Sequence, residues 1–373
     1  GGTGSRIVNK VVRELHKNGK EINNGEICCA VLDTNSNDNE GINKSGTGVP
    51  VIPTSTPKTI KDYLNEYSYK HIEEWCPSSP EFLKESMMDG ASELRIKSRI
   101  AFMDCDLSGT LNRELGAIIN RVRERDPQAK FRIMIVSSLS GGTGSGMFIQ
   151  VALWLRKFLS GVPITIRGIF VLPDVFAGTI RDIATNAATK QRHYCNAYAA
   201  IKELNAITNV LKSATFQLPA QITIGDLFDS ERDKGTGHKV YDLAFFVDYK
   251  DANNLSLGSI SEYESMVAQL VYMQLYSPMK DDMYSEEDNL FITNIQSEDP
   301  LYGSCGVAKA EYPLQSVEKY CSIRAMQDSL TTGWGRIDSE IDTLIEEKRQ
   351  RERDSIYTDE KIDVRHEYVE LFK

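Results

Sequence analysis

The chain has 373 residues, 41% of them hydrophobic and 26% charged, and carries a formal net charge of −10. That length predicts two domains, or one large domain with extensions, and the acidic balance removes the basic footprint of a nonspecific duplex binder, so nucleic acid is not expected as the main ligand. The 7 cysteines form no Cys-x-x-Cys pair and fit a reducing cytoplasm better than a zinc site or a disulfide scaffold; no run of about 18 apolar residues occurs, so no membrane insertion is expected.

Residues 1–5, Gly-Gly-Thr-Gly-Ser, form a turn of the kind that normally follows a strand, so a strand before Gly1 is expected in the native protein. Ile7, Val8, Val11, Val12 and Leu15 make a helical stripe over 6–17. Residues 26–32 read as a short apolar strand ending at Asp33, and 36–58, rich in Asn, Gly, Ser, Thr and Pro, as a long surface loop. Residues 59–89 read as irregular and partly helical. Helices are predicted over 92–104 and 108–125, a buried strand over 131–136, and a helix over 147–158. A strand over 163–172, a long helix over 182–212, a charged loop over 229–238 and a strand over 240–247 follow. Ser259 or Ser261 caps a helix that runs to about residue 276.

The strands are continuously apolar and alternate with helices. That pattern predicts an α/β fold with a parallel sheet covered on both faces. Beyond 277 it changes: 280–300 is an acidic loop, 303–312 a short strand, and 313–355 helical. The charged end of that helix, 346–354, reads as a solvated face, with a partner-binding coiled-coil arm as the sharper alternative.

The chemistry concentrates in Ser138-Leu139-Ser140-Gly141-Gly142-Thr143-Gly144-Ser145-Gly146, between a strand and a helix. Glycines let backbone approach phosphate oxygens, and the helix N-terminus beyond them favours an anion. Thr143 and Ser145 add hydroxyls. No lysine is present, so this is not a Walker loop, and charge balance falls to backbone dipoles and Mg2+. The bland alternative is a tight strand–helix turn. Gly2-Thr3-Gly4 with Asp33 leaves a dinucleotide reading open, although the third glycine position is occupied by Ile7. No His/Asp pair supports an NAD(P) oxidoreductase.

Residues 131–152 resemble the tubulin signature Gly-Gly-Gly-Thr-Gly-Ser/Thr-Gly with its strand and helix, Ser140 standing at the first glycine. Residues 2–11 resemble the first loop and helix of FtsZ. Residues 90–101, a Gly-Ala-Ser turn leading into an Arg-containing helix, resemble the loop that reaches the γ-phosphate. Residues 190–204 resemble the FtsZ helix whose arginine lies near the nucleotide, and 240–276 the segment that ends in the long central helix. These motifs fall in the family's order over roughly 1–276.

The resemblance to the tubulin/FtsZ superfamily, as a divergent bacterial member, implies a Rossmann-like GTPase domain. Its parallel sheet would be flanked by helices, with a long central helix and a divergent or partial C-terminal α/β part. The implied division is 1–258 nucleotide-binding domain, 259–280 central helix and 281–373 C-terminal region. It implies GTP/GDP and Mg2+ as ligands, with no metal site built from side chains. The phosphates would lie on Gly2, Thr3, Gly4, Ser5, Ser140, Gly141, Gly142, Thr143, Gly144, Ser145 and Gly146, with Asp33, Ala91, Ser92 and Arg192 nearby. Asn253 or Asn254 and Tyr263 are the candidates for guanine. Tyr263 reads equally well as a core aromatic.

In the family an acidic loop after the central helix completes the neighbouring subunit's site. Its Asn-x-Asp pattern is not clear here, and Asp288 and Asp299 are the candidates to polarise water. The implied partners are further copies of the chain in a filament and an adaptor bound through the C-terminal helices. A nucleotide-binding regulator or scaffold with little hydrolysis is the alternative.

Overall fold

A computed structural model of the chain describes residues 1–35, 46–68, 72, 75–88, 90–91, 93–179, 187–218, 221–251, 253–277, 302–307 and 314–354. The chain divides into two compact units, Gly1–Val307 and Ala308–Lys373.

In the first unit, α1 (Gly2–Lys17) buries Ile7, Val11, Val12 and Leu15. β1 (Val31–Asp33) pairs in parallel with β2 (Val51–Pro53). The second of these strands lies in the Pro-rich stretch that reads as loop. α2 (Ile60–Glu66) starts on a capping box, with the Thr59 side chain and Asp62 answering each other's backbone N–H groups. α3 (Pro80–Leu83) is capped by Ser79. α4 (Arg95–Leu107) follows, then a π-helical turn at Asn112–Gly116 and α5 (Ala117–Arg125). The helix predicted over 108–125 therefore exists but is widened by the π turn.

β3 (Phe131–Ser138), α6 (Gly142–Phe158), β4 (Ile164–Val171), α7 (Pro173–Thr179) and α8 (Ala187–Lys212) come next. A short antiparallel pair joins β5 (Thr223–Ile224) to β6 (Phe228–Asp229). β7 (Leu243–Val247), α9 (Ile260–Leu275) and β8 (Tyr302–Gly303) complete the unit. Ser259 caps α9 by accepting from the Glu262 N–H.

The main sheet runs β3-β4-β7-β8, and all its pairs are parallel. The register sets Phe131 opposite Ile164 and Ser138 opposite Val171, then Arg167 opposite Leu243 and Val171 opposite Val247. Alternation along β4 splits the core. Ile166 and Phe170 pack with Phe148, Trp154 and Leu204, while Ile169 and Val171 pack with Ile7, Val11, Val267 and Val271. The sheet is thus buried on both faces, which explains why its strands read as unbroken apolar runs. Beside β3, a cavity of about 590 Å³ separates that strand from β1.

The second unit holds α10 (Leu314–Asp328), a π-helical turn at Ser329–Trp334, and α11 (Gly335–Asp354). Along α11, Glu346 pairs with Arg353 at 2.9 Å and with Arg349 at 3.5 Å. These exposed pairs are the solvated face expected of the charged segment. Among the described residues, no helix is long and apolar enough to cross a membrane.

Candidate functional site

β3 delivers the chain to the site. Its ladder is prolonged by the Leu139 N–H donating to the Val171 carbonyl at 3.0 Å. Gly141 is then the N-cap of α6, and helix begins at Gly142, not at Met147. The glycine run is therefore the first turn of the helix. Its leading N–H groups have no intrahelical acceptor. α1 likewise begins at Gly2, so two helix N-termini open onto one pocket. That pocket encloses about 200 Å³ and is lined by residues 1–3, Ser138, Ser140, residues 141–144, Phe176 and His193.

Three features fit it to a polyanion. Both helix dipoles present their positive ends to it. Its described lining contains no carboxylate, and His193 is its one side chain able to carry positive charge. The Ser140 hydroxyl is buried there with no hydrogen-bond partner, a donor placed where an oxygen acceptor is wanted. Glycine is required at 144 because a Cβ there would overlap the Ser138 carbonyl oxygen. At Gly146 a Cβ would overlap Ser98 Oγ and the Arg95 carbonyl of α4.

Four side chains, those of Arg95, Ser98, Thr34 and Asn196, fix this cradle from behind. Arg95 donates through Nε and Nη2 to the Ser145 carbonyl at 3.2 and 3.0 Å. Ser98 Oγ donates to the Gly142 carbonyl at 2.7 Å. The Thr34 and Thr143 hydroxyls share a 2.7 Å hydrogen bond, and Thr34 Oγ1 also accepts from the Ala91 N–H at 3.1 Å. Asn196, buried on α8, donates to both the Ser140 carbonyl at 3.0 Å and the Glu93 carbonyl at 2.9 Å. Replacing Asn196 with Ala strands two carbonyls, and an expected loss of about 1–3 kcal/mol follows, readable by chemical denaturation.

Glu203 on α8 anchors Arg95. It lies 2.6 Å from Arg95 Nη2 and also pairs with Arg99. Burial alone would raise the Glu203 carboxyl, but the Arg99 and Arg95 charges outweigh it and hold it below the ordinary carboxylate range. In the unfolded chain Glu203 binds a proton at higher pH than in the fold. Its contribution is therefore complete above about pH 4.3 and is lost as pH falls through the lower folded value. Acid unfolding of wild type and Glu203→Gln should show that loss in the wild type alone.

The sequence candidates divide clearly. Gly2, Thr3, Ser140, Gly141, Gly142, Thr143 and Gly144 line the pocket. Gly4 and Ser5 lie buried in α1, and the Ser5 hydroxyl donates to the Gly1 carbonyl at 3.0 Å. The Ser145 hydroxyl turns back to the Gly141 carbonyl, and Gly146 faces α4. Ala91 packs against Gly142. Asp33 is buried at the end of β1, accepting from the Asn35 N–H at 3.2 Å. Arg192 is half-exposed and 3.4 Å from Glu93. Asn253 and Asn254 sit in an exposed turn organised by Asp251, with Asn254 at φ +60°. The Tyr263 hydroxyl accepts from the Leu257 N–H at 3.0 Å and donates to the Tyr249 carbonyl, closing that same turn. Ser92, Asp288 and Asp299 lie outside the described residues.

Phe176, His193 and Asn196 were not singled out from the sequence. His193 follows Arg192 by one residue, a turn of about 100° around the helix. His193 and Asn196 are three apart and so share a face. Their common spacing was the available signal.

A sequence profile of the family described as "Tubulin like" matches residues 1–331. The chain belongs to the tubulin-like family. Among solved structures, this tubulin-like chain is similar to CetZ from Methanosaeta thermophila strain DSM 6194. The identity is 13%, coverage is 95% of this chain and 96% of that one, and the TM-score is 0.36. No curated protein matches the chain.

Proposed function

We propose that this tubulin-like chain binds GTP and GDP in the pocket between α1 and α6, and that it assembles into filaments whose nucleotide site a neighbouring copy completes. The observation that carries the binding reading is the convergence of two helix N-termini on a cradle that holds an unpartnered, buried Ser140 hydroxyl. The phosphates lie against residues 1–3 and 141–144. Backbone N–H groups and the Ser140, Thr3 and Thr143 hydroxyls supply the donors. The described lining offers no carboxylate, so none of its side chains would hold Mg2+ directly; bound together with the nucleotide, the ion would neutralise phosphate charge.

Hydrolysis in this reading needs positioning and charge neutralisation rather than a nucleophilic side chain. Its water-polarising acid comes from 286–299 of the adjoining copy. Family membership supports both guanine preference and assembly. The cytoplasm is the compartment proposed, on the reduced cysteines.

His193 Nε2 lies 3.3 Å from Glu93 Oε1 and faces the pocket. His193→Gln removes a charge-assisted donor, and a loss of about tenfold in GTP affinity is expected with the fold retained. Calorimetric titration checks both. Assembly is tested by phosphate release and sedimentation over a series of protein concentrations with GTP. Turnover per chain should rise with concentration, and GTP should drive the protein into the pellet. Turnover per chain that stays flat, with no pelleting, contradicts assembly and leaves a nucleotide-dependent switch.

A further inference from the structure

We infer that Glu93 is the pocket's resident counter-anion: its carboxylate holds the His193 imidazole that an incoming polyphosphate must take over, and so sets how tightly the pocket binds. The inference rests on the nucleotide-binding reading above and adds the regulation of that same site. Arg192 and His193 are neighbours on α8, and each meets a different oxygen of the one carboxylate. His193 Nε2 lies 3.3 Å from Glu93 Oε1, and Arg192 Nη1 lies 3.4 Å from Oε2. Charge-assisted hydrogen bonds close to about 2.7–2.9 Å, so both pairs are loose. The three side chains are between 30% and 50% exposed, and solvent screens pairs of this kind. They exchange partners at small cost, unlike the pair of Glu203 with Arg95 at 2.6 Å, whose side chains are each 16% exposed.

His193 lines the pocket and Glu93 does not. Nε2 is the distal nitrogen of the ring, the one able to reach furthest from α8, whereas Nδ1 sits beside the residue's own backbone. The atom best placed to meet a phosphate oxygen is therefore the atom that Glu93 already holds. An anion in the pocket and the Glu93 carboxylate are rival acceptors for it.

Glu93 is kept in this place under strain. The described non-glycine residues with positive φ are Asn23, Glu93 and Asn254. Asparagine tolerates the left-handed region, and glutamate does so far less readily. At φ +64°, Glu93 has its carbonyl fixed by Asn196 at 2.9 Å. Its backbone lies so near α6 that a Cβ on Gly142 would come within 2.9 Å of its carbonyl carbon. Strained residues persist only where their surroundings impose them, and they gather at ligand clamps and switches. Glycine would make the same turn without strain; what glutamate adds is the carboxylate. Asn196 also holds the Ser140 carbonyl at 3.0 Å, which ties the strained residue to the pocket wall. The apparent affinity of the pocket is lowered by the fraction of time its competent state is absent. A carboxylate that holds His193 for about nine-tenths of the time weakens binding about tenfold, and leaves a nucleotide that can exchange.

The test is calorimetric titration of wild type, Glu93→Gln and Glu93→Gly with GTP and with inorganic tripolyphosphate, repeated with His193→Gln also present. Circular dichroism checks the fold, and glycine suits the left-handed backbone at this position, so that variant keeps the test open if the glutamine variant misfolds. Both variants should bind both probes about tenfold more tightly than wild type. The gain should shrink to less than about twofold once His193 is Gln, because nothing remains to be released. Equal or weaker binding by the Glu93 variants overturns the inference and leaves the nucleotide reading standing. A gain that survives in full without His193 also overturns it, since that would be bare charge repulsion. If neither wild type nor variants bind either probe, the nucleotide reading fails and the inference falls with it.

Discussion

Replacing Glu203 with Ala should cost about 3–5 kcal/mol of stability, the penalty of leaving buried cations without their counter-ion. Glu203 pairs with both Arg95 and Arg99, and all three side chains are largely buried. Removing the carboxylate leaves two guanidinium groups facing each other across the site it vacated. The loss reaches the pocket as well, because Arg95 is the group that holds the Ser145 carbonyl of α6. Urea denaturation followed by circular dichroism gives the size of the effect. A midpoint unchanged from wild type would mean that the three side chains are hydrated and that α8 does not hold the glycine helix in place.

Replacing Gly144 with Val should abolish nucleotide binding. A Cβ at this position would overlap the Ser138 carbonyl oxygen and come within 3.1 Å of the Ser137 Cβ. The neighbour is strand backbone and cannot swing away, so the first turn of α6 must lift off β3. Overpacking of this kind costs about 1–3 kcal/mol, which a domain of this size survives. The phosphate cradle does not survive it, since its N–H groups must hold their positions to within a fraction of an ångström. Affinity for GTP should fall by at least about 100-fold, equivalent to about 2.7 kcal/mol. Gly306→Ala is the control, because a Cβ there meets no atom within 4 Å. Equal binding by Gly144→Val and wild type would remove the glycine helix from the site.

Much of this architecture was legible because burial on both faces leaves a strong mark. The apolar runs of β3, β4 and β7 read directly as parallel strands, and the glycines between β3 and α6 read as a point of close approach. The sequence located that run correctly but took it for a loop before a helix. The helix in fact begins inside it, since glycines at 142, 144 and 146 are needed for packing against Ala91, Ser138 and α4 while the backbone is already helical. β2 was hidden because Val51, Ile52 and Pro53 are three residues inside a stretch of turn formers. Their strand exists only through pairing with β1, a nonlocal partner that no local pattern announces. The contrast between Arg192 and His193 has the same origin. Sequence resemblance located the right turn of α8, but which of two adjacent side chains faces the pocket depends on how that helix is rotated against α6. Asn196 acts through the backbone carbonyls of Glu93 and Ser140, and Glu203 through two buried arginines of α4; polar residues in a helical stretch give no sign of such partners.

Calorimetric titration of the wild-type protein with GTP, in parallel with ATP and with Gly144→Val, tests the central claim most directly. The account predicts saturable binding of one GTP per chain, weaker binding of ATP, and no binding by the Gly144 variant while its circular dichroism spectrum stays that of a folded protein. Absence of GTP binding by the wild type, or binding that the variant retains, would contradict it.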